Sequence, residues 1–229
     1  MLFQTLTTAC ALMGLRPLCP PAAIMMAESP AWLSLLDELP VFAVANKEGK
    51  PLQYEVGGKP QAIFYADLLA AKKQLEDAQG ANPDLKVDLI PVGLGAAYSL
   101  SLEGKASLVP GVTELTACGM PEGLPALGQE LPLFACMEMT REAEGGGTEL
   151  PLFMSVADCE AAVKQAREEA DREDLEITPL SLPSVVEHIE SSATPNFGVI
   201  PPTASTDHIA KYVGNIDGQF VYARVVEED

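Results

Sequence analysis

The sequence predicts an α/β fold of the α+β type: two pseudo-symmetric βββαβα-like halves forming one body of mixed sheet with flanking helices. Three observations carry this. Short apolar runs rich in β-branched and aromatic residues recur, bounded by Pro, Gly and Asn, as strands do. Helix-period segments with capping residues lie between them. The order of these elements then returns once along the 229 residues.

The first element, SPAWLSLLDE from Ser29, reads as a helix with Ser29 as N-cap, Pro30 in its first turn and an apolar stripe of Trp32, Leu33, Leu35 and Leu36. LPVFAVANKEGKPLQYEV follows from Leu39 as a strand, a Lys-Glu-Gly turn and a second short strand. QAIFYA is a third strand. It runs into Asp67, an N-cap for the helix LLAAKKQLEDAQG, in which Leu68, Ala71, Leu75 and Ala78 share one face and Gly80 marks the end. VDLIPVGL is the next strand, and a short helical piece spans Ala96 to Leu100.

After a Pro- and Gly-rich linker over residues 104–130, the order is repeated. LPLFACMEM is a strand, EAEGGG a loop and LPLFMS a strand. A helix with Cys159, Ala162, Ala166 and Ala170 facing the core comes next, Ser155 and Asp158 having capping-box spacing. LEITPLSL and PSVVEHIE complete the copy as a strand and a helix. ADLLAAKKQ from Ala66 and ADCEAAVKQ from Ala157 agree at six of nine positions, and Pro91 matches Pro179. Duplication of a half explains this better than a solenoid, which keeps one period. The thrice-written Leu-Pro-x-Phe word then has two meanings. Leu39 and Leu131 open equivalent first strands, whereas Leu150 opens the counterpart of QAIFYA. Pro40, Pro132 and Pro151 are placed at strand entries, where a missing N–H costs no ladder bond.

These boundaries give an apolar N-terminal arm over residues 1–28, a body over 29–192 with halves at 39–103 and 131–192, and a Pro-rich C-terminal extension over 193–229. The arm carries Arg16 and no acid before Glu28, and it resembles the apolar part of a sorting signal without the basic start. The extension reads as a long loop, SSATPNFGVIPPTAST, then an Asp-Gly turn and a closing strand, IDGQFVYARVV.

Composition narrows the function. A chain of this length buries about 70% of its unfolded surface, and 48% hydrophobic with 21% charged residues is globular. No apolar run approaches the ~20 residues of a spanning helix, so membrane association is expected to be peripheral only. Acids outnumber bases 33 to 14, giving a net charge of −19. Such a field repels nucleic acid and attracts cationic segments.

Little of the sequence reads as catalytic. His188 stands between Glu187 and Glu190 with Ser191 and Ser192 nearby, but nothing positions a nucleophile or buries an acid. Cys10, Cys19, Cys118, Cys136 and Cys159 form no C-x-x-C pair or ligand cluster, and no Asp-rich loop matches a calcium site. EGGGT at Glu144 lacks the ending of a P-loop. The six acids from Glu168 to Glu176 read as the solvated face of a continuing amphipathic helix. The expectation is therefore a protein without catalytic residues, cofactor or metal.

Three ordered strings, LPVFAVANKEGKPL, QAIFYADLLAAKKQL and KVDLIPVGLGAAYSL, resemble the twenty-two-kilodalton component family of the translocon at the inner envelope of chloroplasts, which has cyanobacterial and apicoplast members. Pro40, Val41, Phe42, Asn46, Gly49, Pro51 and Leu52 match its first string, and Pro91, Val92, Leu94 and Tyr98 its last. LVPGV at Leu108 and the strands at Leu131 and Leu150 continue in order, to about Arg172. Gly95 departs from the pattern, which often has Asp there. The resemblance implies a two-halved α/β body, no catalytic residue, and a plastid location in the intermembrane space or on a membrane surface.

Two functions follow. In the first, the protein is a chaperone-like protein-import factor that binds basic unfolded or transit-peptide segments, which the acidic body attracts, by strand addition or apolar grooves. In the second, it is a peripheral structural subunit of a photosynthetic membrane complex, its arm and tail lying along partner subunits. The partner-binding residues proposed are Leu2, Phe3, Leu6, Phe42, Phe64, Phe134 and Phe153.

Overall fold

The computed structural model describes residues 30–121, 123–143, 146–191 and 196–213. After a helix α1 (Ala31–Leu36), the chain writes one order twice. The first half is β1 (Pro40–Asn46), β2 (Gln53–Val56), β3 (Lys59–Tyr65), α2 (Leu68–Ala81), β4 (Val87–Gly93), α3 (Leu94–Leu102), β5 (Ala106–Val109) and α4 (Val112–Ala117). The second is β6 (Pro132–Cys136), β7 (Arg141–Glu142), β8 (Thr148–Phe153), α5 (Val156–Ala170), β9 (Ile177–Ser181), α6 (Leu182–Ser191), β10 (Phe197–Ile200) and α7 (Thr203–Val213).

Each half builds its own mixed sheet with the same connections. In the first, β4 and β3 lie antiparallel on the two sides of β1, and β5 lies parallel on the far side of β3. In the second, β9, β6, β8 and β10 take the same places. The registers agree: Pro40 faces Gly93 and Phe42 faces Pro91, while Pro132 faces Ser181 and Phe134 faces Pro179. Leu94 N–H donates to Leu39 C=O at 2.8 Å, and Leu182 N–H to Leu131 C=O at 2.9 Å, so the two Leu-Pro-x-Phe first strands are equivalent.

Both faces of each sheet are covered, which is why β6 is buried throughout and β1 up to its last residue, Asn46. Val41 and Ala43 point one way with Leu133, Ala135 and Leu152 into a central core shared by the halves and by α1, α3 and α6. Phe42 points the other way, under α2, and Phe134 and Cys136 lie under α5. Trp32 joins the halves through α1. Its ring meets Tyr98 of α3 edge-on, and its indole N–H donates to Glu190 of α6 at 2.9 Å.

Local chemistry explains the motif residues. The Asn46 side chain accepts from the N–H groups of Glu48 and Lys50, both at 3.0 Å, and Gly49 supplies the positive φ that closes the turn. Gly95 is forced by α1: a Cβ there meets the carbonyl oxygen of Leu33 and, at 2.8 Å, a carboxylate oxygen of Asp37. That carboxylate accepts from Ala96 N–H at 2.8 Å and so holds the start of α3. An Asp at position 95, as in the related pattern, has no room here.

Several expectations are corrected. Residues 104–130 are more than a linker, since they contain β5 and α4, and residues 197–213 form β10 and α7 rather than an extended loop. α2 runs past Gly80 to Ala81, and the helical piece at Ala96 begins at Leu94. Pro151 lies inside β8, not at its entry. It is tolerated because the pairing of β8 with β7 stops at Glu149 and that with β6 is registered at Phe153. The acidic run leaves its helix at Asp171, a left-handed C-cap at φ 49°, and Ala170 is exposed.

The nine-residue likeness also has another meaning. Asp67 and Ser155 are the equivalent N-caps, so Leu68 corresponds to Val156 and Ala71 to Cys159, all buried. Ala66 stands before its cap, whereas Ala157 already lies in the first turn of α5. The matched letters are thus out of register with the matched structure. The repeat lies in the topology. Ser29, the arm over 1–28 and the closing strand IDGQFVYARVV lie outside the described residues.

Candidate functional site

Strands β3, β5, β8 and β10 run directly into helices α2, α4, α5 and α7. In each sheet the two strands concerned are parallel, so their helices start at the same end. There the halves meet around a cleft of about 220 Å³. Leu68, Pro110, Leu131, Met154 and Pro202 make much of its lining apolar, while Asp67 and Glu114 bring carboxylates to it. Leu69 and Val112, in the first turns of α2 and α4, are 73% and 62% exposed.

The polar groups here are tied to helix starts, which otherwise leave N–H groups without partners. Asp67 accepts from Leu69 and Ala70 N–H, at 3.0 and 3.3 Å. Ser155 Oγ accepts from Asp158 N–H at 3.2 Å. The Glu114 carboxylate lies close to the Val156 N–H at the start of α5, so α4 of one half and α5 of the other meet here. Asp158 accepts from Thr203 N–H and hydroxyl, at 2.9 and 3.0 Å, which fastens the start of α7. Burial, with Asp67 and Asp158 close by, pushes the Glu114 carboxyl above its usual range. Gly111 packs closely beside it: a Cβ there would meet the Glu114 carboxylate and come within 3.2 Å of the Asp67 side chain, so the Glu114 side chain would have to shift.

A second cavity of about 360 Å³ lies where α7 meets the outer face of the first sheet. Phe42, Leu75, Leu89, Pro91 and Ile209 line it. The His208 ring stands edge-on to Phe42 with centroids 5.7 Å apart. Burial, then Lys72 and Lys211, hold its pKa below the usual imidazole value.

Strand addition meets an obstacle at one end of each sheet. β4 and β9 each carry a proline at the equivalent register position, Pro91 and Pro179, whereas β2 and β10 at the opposite ends carry none. A proline on an edge strand removes a donor and blunts it against pairing.

Of the proposed partner-binding residues, Leu2, Phe3 and Leu6 lie outside the described residues. Phe42, Phe64, Phe134 and Phe153 are core residues with 0%, 0%, 1% and 7% exposure. The rings that the strand pattern made conspicuous are therefore packing groups, and the exposed apolar surface beside the cleft belongs to Leu69 and Val112. Nothing in the spacing marked Leu69, which follows the buried Leu68 directly. The letters around His188 do not converge: Ser191 hydroxyl donates to the His188 backbone carbonyl at 3.0 Å, and Glu190 is engaged by Trp32. His188 packs its ring on Phe197. Among the described residues no group of three or more His, Cys, Asp or Glu is arranged to hold a metal ion, and no helix is long and apolar enough to cross a membrane.

In sequence, no family model and no curated protein matches the chain. In structure, it is similar to Tic22 from Plasmodium falciparum with a TM-score of 0.65 at 18% identity, over 79% of this chain and 96% of that one. It is also similar to Anabaena Tic22, described as a protein of protein transport, with a TM-score of 0.61 at 16% identity, over 78% and 95%. The chain has the Tic22 fold. The α+β architecture expected from the three ordered strings is thereby shown. Because nearly the whole length of both Tic22 chains is matched, the cleft between the halves lies within a complete Tic22 fold.

Proposed function

We propose that this protein is a plastid protein-import factor that binds other polypeptides in a chaperone-like manner, without catalytic residues or cofactor. The observation that carries the reading is the likeness of its fold, over nearly the full length of the matched chain, to a Tic22 described by protein transport. Two features support it. A net charge of −19 draws basic, acid-poor segments by long-range attraction. The cleft between the halves offers apolar lining with carboxylates beside it, suited to an extended segment that is both basic and apolar. The prolines of β4 and β9 disfavour strand addition at those two edges, which leaves side-chain capture in the cleft as the mode proposed. The intermembrane space or a plastid membrane surface is the location that suits such a factor. The repeated element order is read as the copying of one ancestral half.

The alternative of a fixed subunit of a photosynthetic complex has no support in these similarities. The test is suppression of aggregation of a denatured basic precursor. The full chain is expected to suppress it at low salt and to lose most of the effect at high salt. No suppression at either salt concentration removes the proposal.

A further inference from the structure

The two halves make equivalent corners at the cleft, and the corners differ. Asp158 is the third helical residue of α5, and Thr203 the first of α7. Counted from the N-caps, their counterparts in the other half are Ala70 in α2 and Val112 in α4. One corner is therefore closed by the bonds from Thr203 to Asp158, at 2.9 and 3.0 Å. The other has two side chains that cannot make such bonds, and it leaves Val112 62% exposed in α4 and Leu69, which lines the cleft in α2, 73% exposed. An exposed pair of this kind beside an apolar-lined cavity marks an interaction surface. Its surroundings are acidic: Asp67 stands at the start of α2, and Glu114 lies two residues after Val112 in the first turn of α4.

We infer that the open corner formed by Leu69, Ala70 and Val112 seats a bulky apolar side chain of a polypeptide segment that carries Lys or Arg beside it. This inference rests on the polypeptide-binding reading and assigns it a place. The apolar side chain covers Leu69 and Val112, and the adjacent cation faces Asp67 and Glu114, which line the same cleft. The closed corner has no equivalent seat, so one molecule takes one segment there.

The experiment measures binding of a fluorescent peptide, a single Leu flanked by Lys and Arg, to the full chain by anisotropy. Companion peptides replace the Leu with Ser or the basic residues with Glu. The double variant Ala70→Asp/Val112→Thr transplants the closed corner's pair onto the open one. Leu69→Ser removes an exposed contact without touching the core, and Leu102→Ser, at a leucine 65% exposed elsewhere, is the control. Circular dichroism and thermal melts establish folding. We expect both corner variants to weaken binding by about tenfold or more, the control to stay within about twofold, and both companion peptides to bind weakly. If the double variant does not fold, Leu69→Ser decides. Unchanged binding by Leu69→Ser, or equal binding of the Ser-substituted peptide, overturns the assignment. A chain that suppresses precursor aggregation but ignores the peptide also overturns it while leaving the broader reading standing; failure of both removes both.

Discussion

The carboxylate of Asp158 accepts two hydrogen bonds from Thr203, one from its N–H and one from its hydroxyl. A residue in the first turn of α5 thus caps α7, across a long stretch of chain. The sequence spacing pointed Asp158 back at its own helix. The structure gives that helix Ser155 as its cap and spends Asp158 on the next one. Thr203→Val, which deletes the hydroxyl, is expected to cost about 1 kcal/mol and Asp158→Ala about 1–2 kcal/mol. Chemical denaturation measures both, and hydrogen exchange is expected to rise first in α7.

Gly95→Ala is expected to reverse the usual rule for helices. In an open helix, alanine is favoured over glycine by about 1 kcal/mol. At this position the new Cβ meets the Leu33 carbonyl and the Asp37 carboxylate, so α1 must move. Overpacking of this kind costs about 1–3 kcal/mol. A lowered melting temperature is the expected reading, and an unchanged or raised one refutes the close contact.

Glu114 makes stability depend on pH in a defined direction. Its carboxyl is raised from 4.5, mainly by burial, so the folded chain holds the proton more tightly than the unfolded chain. Its contribution to stability is therefore full below pH 4.5, declines as pH rises toward the folded value, and is least above it. Glu114→Gln removes that dependence. The variant is expected to melt higher than the parent at pH 7 to 8, with the difference shrinking as pH falls toward 5. His208 titrates in both proteins and cancels in the comparison.

Cysteine reactivity is expected to divide by burial. Cys136 is buried under α5 and Cys159 on the inner face of that helix, and burial pushes the Cys159 thiol to about 11. Cys118 is exposed. In a Cys10→Ser/Cys19→Ser background, a maleimide is expected to modify Cys118 in the native protein, and Cys136 and Cys159 only after denaturant. Intact mass spectrometry counts the labels; rapid addition of three refutes the assignment.

Much of the fold was legible because its signals are local. The β1 strand, the Asn46 turn, the Asp67 cap and the apolar face of α2 each depend on neighbours a few residues away. β5 and β10 were not legible. Four residues of Ala-Ser-Leu-Val or Phe-Gly-Val-Ile, flanked by Gly and Pro, carry no strand period. They become strands because β3 and β8 offer parallel partners far away in sequence. α4 and α7 then follow from the ends of those strands. The same distance hid the cleft, which exists only where four such turns converge.

By itself, the sequence determined the two-halved α+β plan, the equivalence of the strands opening at Leu39 and Leu131, and an acidic surface. Alternation, caps and charge are properties of short stretches and of sums, so they can be read without coordinates. Only the tertiary structure decided which conspicuous residues are core and which are surface. It buried Phe42, Phe64, Phe134 and Phe153 between layers, and it exposed Leu69 and Val112 at a corner that its twin closes. The reason is physical: burial depends on what packs from the far side of a sheet or helix, and that partner comes from elsewhere in the chain.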